Sequence, residues 1–105
     1  MIKLEIDVED YDLSDELKAR IQDRIGGLDE FMDTLDKGHV TVAWEGGKNE
    51  QTRVSAQVWG GGDKFEGSDV DWKSVTAIDK TRSKLESQIT KVHGKRLSER
   101  DRRRR

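Results

Sequence analysis

The chemistry open to this chain is narrowed first by its histidines, His39 and His93, which are its only two, and by the absence of cysteine. His39 stands just before a run of alternating apolar residues, and His93 lies among basic residues at the end of an apolar-periodic segment. Each reads as a satisfied or solvated side chain rather than a general base. Without cysteine there is no thiolate nucleophile, thiolate metal site or disulfide scaffold. The carboxylates Asp29, Glu30, Asp33 and Asp36 are dense enough to attract a divalent cation, yet they lack the glycine-centred calcium-loop pattern and read as a solvated acidic face. Gly60-Gly61-Gly62 is not arranged as a nucleotide fingerprint and no helix follows it directly, so it reads as a turn. A non-enzymatic protein with no cofactor and no metal is expected.

The basic residues are more informative. Lys73, Lys80, Lys84 and Lys91 follow one another at steps of 7, 4 and 7 residues, which on a helix places them along one flank. Lys95, Arg96 and Arg100 continue the run toward Arg102, Arg103, Arg104 and Arg105. Lysines and arginines at helical intervals on a rigid frame suit the phosphates and 2′-hydroxyls of structured RNA, which is read largely by shape. The charge partition agrees: residues 1 to 38 sum to minus 7, residues 39 to 72 to minus 3 and residues 73 to 105 to plus 8, within a formal net charge of minus 2. Removing Arg100 and Arg102 to Arg105 would leave the whole chain at minus 7. The tail is therefore expected to supply nonspecific affinity for a polyanion. The plainer alternative is a solvated helix with a tail that keeps the protein soluble.

A frame must hold these cations, and 105 residues fit one domain. The expected division is a folded domain over residues 1–94 and a basic, disordered tail over residues 95–105. With 31% hydrophobic and 40% charged residues, the core must be thin. Ile2, Leu4, Ile6 and Val8 alternate with Lys3, Glu5, Asp7 and Glu9, which predicts a strand with one wet face. Ser14 is a plausible N-cap, and Leu17, Ile21, Ile25, Leu28, Met32 and Leu35 follow at helical spacing, with a bend or break expected at Gly26-Gly27 and a stop at Gly38. Val40, Val42 and Trp44, a turn around Gly46 to Asn49, and Thr52, Val54, Ala56 and Val58 predict a hairpin. A short strand is expected around Lys64 to Gly67. The S-x-x-D sequence from Ser68 to Asp71 predicts a capping box opening a second helix through Val75, Ile78, Leu85, Ile89 and Val92, which Gly94 would end. Arg82 falls on that apolar stripe and must snorkel, pair with an acid or sit at its edge.

The expected order is strand, helix, three strands, helix. Since each strand is apolar on one side only, both helices must cover the same face of a four-stranded mixed sheet, giving a two-layer α+β domain. The first two strands can run parallel through the first helix, and the rest form an antiparallel meander. No apolar run approaches the roughly 18 residues of a membrane span, and the N-terminus lacks a signal-peptide layout, so a cytoplasmic location without membrane association is expected.

Ala77-Ile78-Asp79, followed by Lys84-Leu85-Glu86-Ser87-Gln88-Ile89 and Lys91, resembles the second-helix signature of the ribosome hibernation promoting factors, also called the ribosome-associated inhibitor or S30EA family. The likeness extends to Leu13 through Leu28, to His39-Val40-Thr41-Val42 and to the element order. It implies a βαβββα fold related to double-stranded RNA-binding domains. It further implies a translation inhibitor that binds 16S rRNA of the small ribosomal subunit in the mRNA and tRNA channel, with no DNA partner. By position, Lys18, Arg24, Lys84, Lys91 and Lys95 would face that RNA. The chain departs from the pattern at Lys73-Ser74-Val75, at Ser87, at Gly27 and Glu30, and at Thr81 and Arg82. Long members carry a C-terminal dimerisation domain, and none is expected here. The alternative is an acidic interaction module of the same fold that has lost the ribosome and contacts a basic protein partner.

Overall fold

A computed structural model describes residues 1–46 and 51–103, with side chains described through residue 94. The chain runs through β1 (Lys3–Glu9), α1 (Asp15–Arg24), a 3-10 turn (Gly26–Glu30), β2 (Lys37–Glu45), β3 (Gln51–Gly60), β4 (Asp63–Asp71) and α2 (Ser74–Arg103). The sheet order is β1-β2-β3-β4, with β1 parallel to β2 and the other pairs antiparallel. Alternation set the strands as expected. Val40 and Val42 of β2, Val54, Ala56 and Val58 of β3 and Phe65 of β4 point to one face and are buried there with Ile21, Ile25 and Leu28 and with Ile78, Leu85 and Ile89 of α2. Both helices therefore cover the same face, and the other face of the sheet stays open. Along the first strand the burial fades: Ile2, just before β1, is fully buried, Leu4 and Ile6 are partly buried and Val8 is exposed.

The apolar series in the first helical region is placed as its spacing predicts, but only part of it is α-helix. Ser14 caps α1, its hydroxyl accepting from Leu17 N–H at 3.2 Å. The helix gives way after Arg24 to the 3-10 turn, and Ile25, Leu28, Met32 and Leu35 reach the core from turn backbone. A Cβ at Gly26 would meet the Gln22 amide, which donates to Ile2 O at 3.0 Å, so a larger residue there would displace that hydrogen bond. Gly38 does not act as a stop: it is buried within β2, where a Cβ would lie 2.6 Å from a Leu4 methyl and 2.8 Å from Gln57 O.

Two further boundaries differ from expectation. Ser68 to Asp71 extends β4 instead of capping a helix, because Ser68 pairs with Ser55 and Asp69 with Val54 across the ladder. Cross-strand pairing there overrides the local capping signal. Asp71 still meets the helix start, its carboxylate accepting from Lys73 N–H at 3.0 Å. Gly94 does not end α2, which continues to Arg103: one glycine costs about 1 kcal/mol in a helix interior, and the residues after it are mostly strong helix formers. The expected boundary at residue 94 thus falls inside a continuous helix. The turn between β2 and β3 lies outside the described residues apart from Gly46. The β3–β4 turn is described: Gly61 and Gly62 take φ of 59° and 86°, the left-handed pair that a tight hairpin of type I′ demands.

Candidate nucleic-acid interface

The cations expected to face RNA are distributed over two flanks of α2, and the structure does not gather them into one patch. The flank toward α1 holds arginines. Arg20 and Arg24, one turn apart on α1, converge on Asp79 of α2 at 2.8 and 3.2 Å. Arg82, only 17% exposed, pairs with Glu86 at 2.7 Å, donates from Nε to the Arg24 carbonyl at 3.1 Å and lies over the Phe31 ring. That carbonyl belongs to the end of α1, where helix carbonyls lack intrahelical donors. Arg82 thus pairs with an acid, one of the three outcomes its position on the stripe allowed. Thr81, on the core stripe itself, is fully buried with its hydroxyl donating to Ala77 O and to Val54 O.

The opposite flank holds lysines and overhangs β4. Asp69 and Asp71 project from the helix-covered face of this edge strand and meet Lys84 at 3.2 Å and Lys80 at 3.0 Å. Lys84 also donates to Ser68 O at 2.7 Å and Gln88 to Glu66 O at 2.8 Å. Side chains of α2 therefore occupy carbonyls that an edge strand would otherwise offer to another chain. For Asp69, burial raises the pKa, but the Val70 N–H and then Lys84 more than offset it and hold the carboxyl below its ordinary value. Asp71 is held low by the Lys73 N–H and then by Lys80, and Lys80 is raised in turn, first by its hydrogen bond to Asp71.

Of the residues singled out from sequence, Arg24, Lys80 and Lys84 are engaged by acids of the same chain, whereas Lys18 and Lys91 are exposed and make no ion pair among the described residues. The backbone of Lys95, Arg96, Arg100, Arg102 and Arg103 continues α2, and Arg104 and Arg105 lie outside the described residues. Sequence reasoning missed Arg20, whose four-residue step to Arg24 was the available signal. It also missed Asp69 and Asp71, whose two-residue step puts them on one side only if the segment is a strand. His39 pairs with Asp7 at 2.6 Å on the open sheet face, and no group of carboxylates and histidines that could hold a metal occurs among the described residues.

Exposed ion pairs are worth about 0 to 1 kcal/mol, so a phosphate can displace Asp69 or Asp71 from its lysine at small cost. Arg82, 17% exposed and bonded to a backbone carbonyl as well as to Glu86, has no such freedom. The arrangement can thus offer exchangeable lysines along one flank of α2, with Lys91 and the helix continuation beyond the sheet.

Comparison with known proteins adds three findings. The family model described as Sigma 54 modulation protein / S30EA ribosomal protein matches residues 4–97. No curated protein matches the chain significantly. Among solved structures, the Protein Y N-terminal domain of Thermus thermophilus superposes with a TM-score of 0.75 at 18% identity, covering 87% of this chain and 99% of that one. A ribosomal subunit interface protein from Coxiella burnetii gives 0.74 at 18% identity, covering 89% and 99%. At this identity the superpositions establish a shared fold.

Proposed function

Because the chain belongs to the Sigma 54 modulation / S30EA ribosomal protein family, we propose that it is a ribosome hibernation factor that binds 16S rRNA of the small subunit in the mRNA and tRNA channel and silences translation by occupancy. The observation that carries this reading is the family match across residues 4–97, which takes in α1, nearly the whole sheet and α2 up to residue 97. The name of the Coxiella burnetii neighbour, a ribosomal subunit interface protein, points the same way. In the helix layer, Lys18 and Lys91 are exposed and free of ion pairs among the described residues, and Lys80 and Lys84 become available by exchange with Asp71 and Asp69. Arg24 acts through its hold on Asp79, Lys95, Arg96, Arg100, Arg102 and Arg103 add affinity along the extension of α2, and Arg104 and Arg105 add to it by their charge.

Cosedimentation with 30S and 70S particles across a potassium chloride series tests this. Binding should weaken steeply as salt rises, through counterion release. Lys18→Glu with Lys91→Glu should weaken it further, and deleting residues 100–105 should flatten the log-log slope by about 0.7 to 0.9 for each arginine that contacts a phosphate. Absence of cosedimentation even at low salt would overturn the reading and favour a protein partner for the acidic surface of residues 1–38.

A further inference from the structure

The open face of the sheet carries its own cations, and their arrangement is visible only once the strands are paired. Lys3 aligns with Lys37, Lys37 with Trp59 and Trp59 with Lys64, so one row across all four strands reads lysine, lysine, tryptophan, lysine. Leu4, Gly38, Val58 and Phe65 face the helices, which puts this row on the opposite, solvent side. The three lysines are exposed and Trp59 is partly exposed. The next row, Glu5, His39, Gln57 and Glu66, carries an exposed acid at each edge of the sheet, so carboxylates flank the lysine row on that side. Asp7 is paired with His39 and Glu45 with Arg53, whereas Lys3, Lys37 and Lys64 make no ion pair among the described residues. A depression of about 330 Å³ lies at this row, lined by Lys3, Leu4, Glu5, Lys37, Gly38 and Trp59.

We propose that this end of the open sheet is a second nucleic-acid contact, which takes a single-stranded segment with a base against Trp59 and phosphates on Lys3, Lys37 and Lys64. Charge complementarity selects the polyanion, since three unpaired lysines gather on a chain of net negative charge. The tryptophan selects the single strand: a duplex keeps its base faces inside its own stack, and only an unstacked base has a face to offer an aromatic ring. The reach fits as well. Three strand spacings of about 4.8 Å span about 14 Å, within the reach of the shortest single-strand footprints, about four nucleotides. The surface lies across the sheet from Lys18 and Lys91, so it is separate from the helix-layer contact and does not depend on it.

The test uses the full chain and a fluorescein-labelled eight-nucleotide oligoadenylate, followed by anisotropy in a salt series starting at about 20 mM, where counterion release favours binding. Wild type should bind, and replacing Lys3, Lys37 and Lys64 together by Gln should weaken binding and lower the log-log salt slope by about 2, at about 0.7 per single-strand phosphate. Trp59→Ala should weaken binding roughly tenfold, the loss of one stacked base, with Trp59→Phe retaining most of it. Trp44→Ala and Trp72→Ala should leave it unchanged. The lysine side chains are exposed, so the triple variant reads out even where Trp59→Ala impairs folding. No binding at the lowest salt, an affinity and slope unchanged by the triple substitution, or a duplex of equal length bound as tightly would each overturn the proposal. Oligonucleotide binding lost with 30S cosedimentation intact counts against this surface alone. The reverse pattern counts against the ribosome reading alone.

Discussion

The two flanks of α2 answer the same question differently, namely how a helix keeps cations beside an apolar stripe. Toward α1 the answer is arginine, half-buried, forked onto carboxylates and onto the carbonyl that ends α1. Toward β4 it is lysine, exposed, set on two acids of an edge strand. A planar guanidinium satisfies several acceptors in a fixed geometry, while an ammonium is a hydrated point charge that changes partner easily. The first flank is therefore part of the fold, and the second is a surface that can trade its partners for phosphates.

Replacing Arg82 should expose that difference most strongly. Arg82→Ala leaves the Arg24 carbonyl and Glu86 without their donor and removes the cover from Phe31. Urea unfolding should show a loss of about 1.5 to 3 kcal/mol, the range for hydrogen bonds to charged groups. Arg82→Lys should recover only part of it, because one ammonium cannot reproduce the fork. A loss no greater than that of Lys84→Gln would erase the distinction between the flanks.

Acid should act on the lysine flank next. Asp69 and Asp71 are held below their ordinary value of 3.8 in the folded protein, so their contribution is full above that value and is lost as pH falls through the depressed native values. Stability measured by thermal melting should therefore decline below about pH 4, and Asp69→Asn with Asp71→Asn should flatten that decline. An unchanged acid limb in the double variant would show that other carboxylates carry it.

Much of this architecture was legible in the sequence, and the boundary between what was and was not is physical. Alternation at Val40, Val42, Val54, Ala56 and Val58 and the helical series from Leu17 to Leu35 report burial directly, so the strands, the covered face and the βαβββα order could be read. Ser68 to Asp71 could not, because a local capping pattern and a cross-strand register compete there and only pairing with β3 decides. The lysine stripe was visible as helical spacing. Its partners were not, since Asp69 and Asp71 share a side only in a strand. The row formed by Lys3, Lys37, Trp59 and Lys64 draws each residue from a different strand, and no linear spacing announces it.

A smaller effect on stability separates exchange from anchoring. Lys84→Gln removes an ion pair to Asp69 with a lysine side chain 52% exposed, and should change stability by at most about 1 kcal/mol. Its affinity for 30S particles should fall nevertheless, with a shallower salt slope. A variant that lost stability by more than that, with binding unaltered, would make this flank a structural clasp like the arginine one.

The smallest expected change concerns Gly94, which sits where α2 leaves the sheet. A Cβ there would meet nothing within 4 Å, and the helix runs on to Arg103, so alanine fits the native backbone without strain. Gly94→Ala should favour the helix locally by about 0.4 to 1 kcal/mol, mostly by restricting the unfolded chain. The gain belongs to the extension, since among the residues with described side chains Val92 is the last partly buried apolar one of the packed stripe. Global unfolding should therefore barely move, while amide exchange slows over residues 95–103. The basic residues of that segment would then be held at helical intervals more of the time. If the extension contacts RNA as a helix, Gly94→Ala tightens 30S binding; if those arginines act only as a charged tail, stiffening leaves the affinity as it was. The two outcomes decide whether the lysine flank of α2 continues past the sheet as one surface or stops where the sheet does.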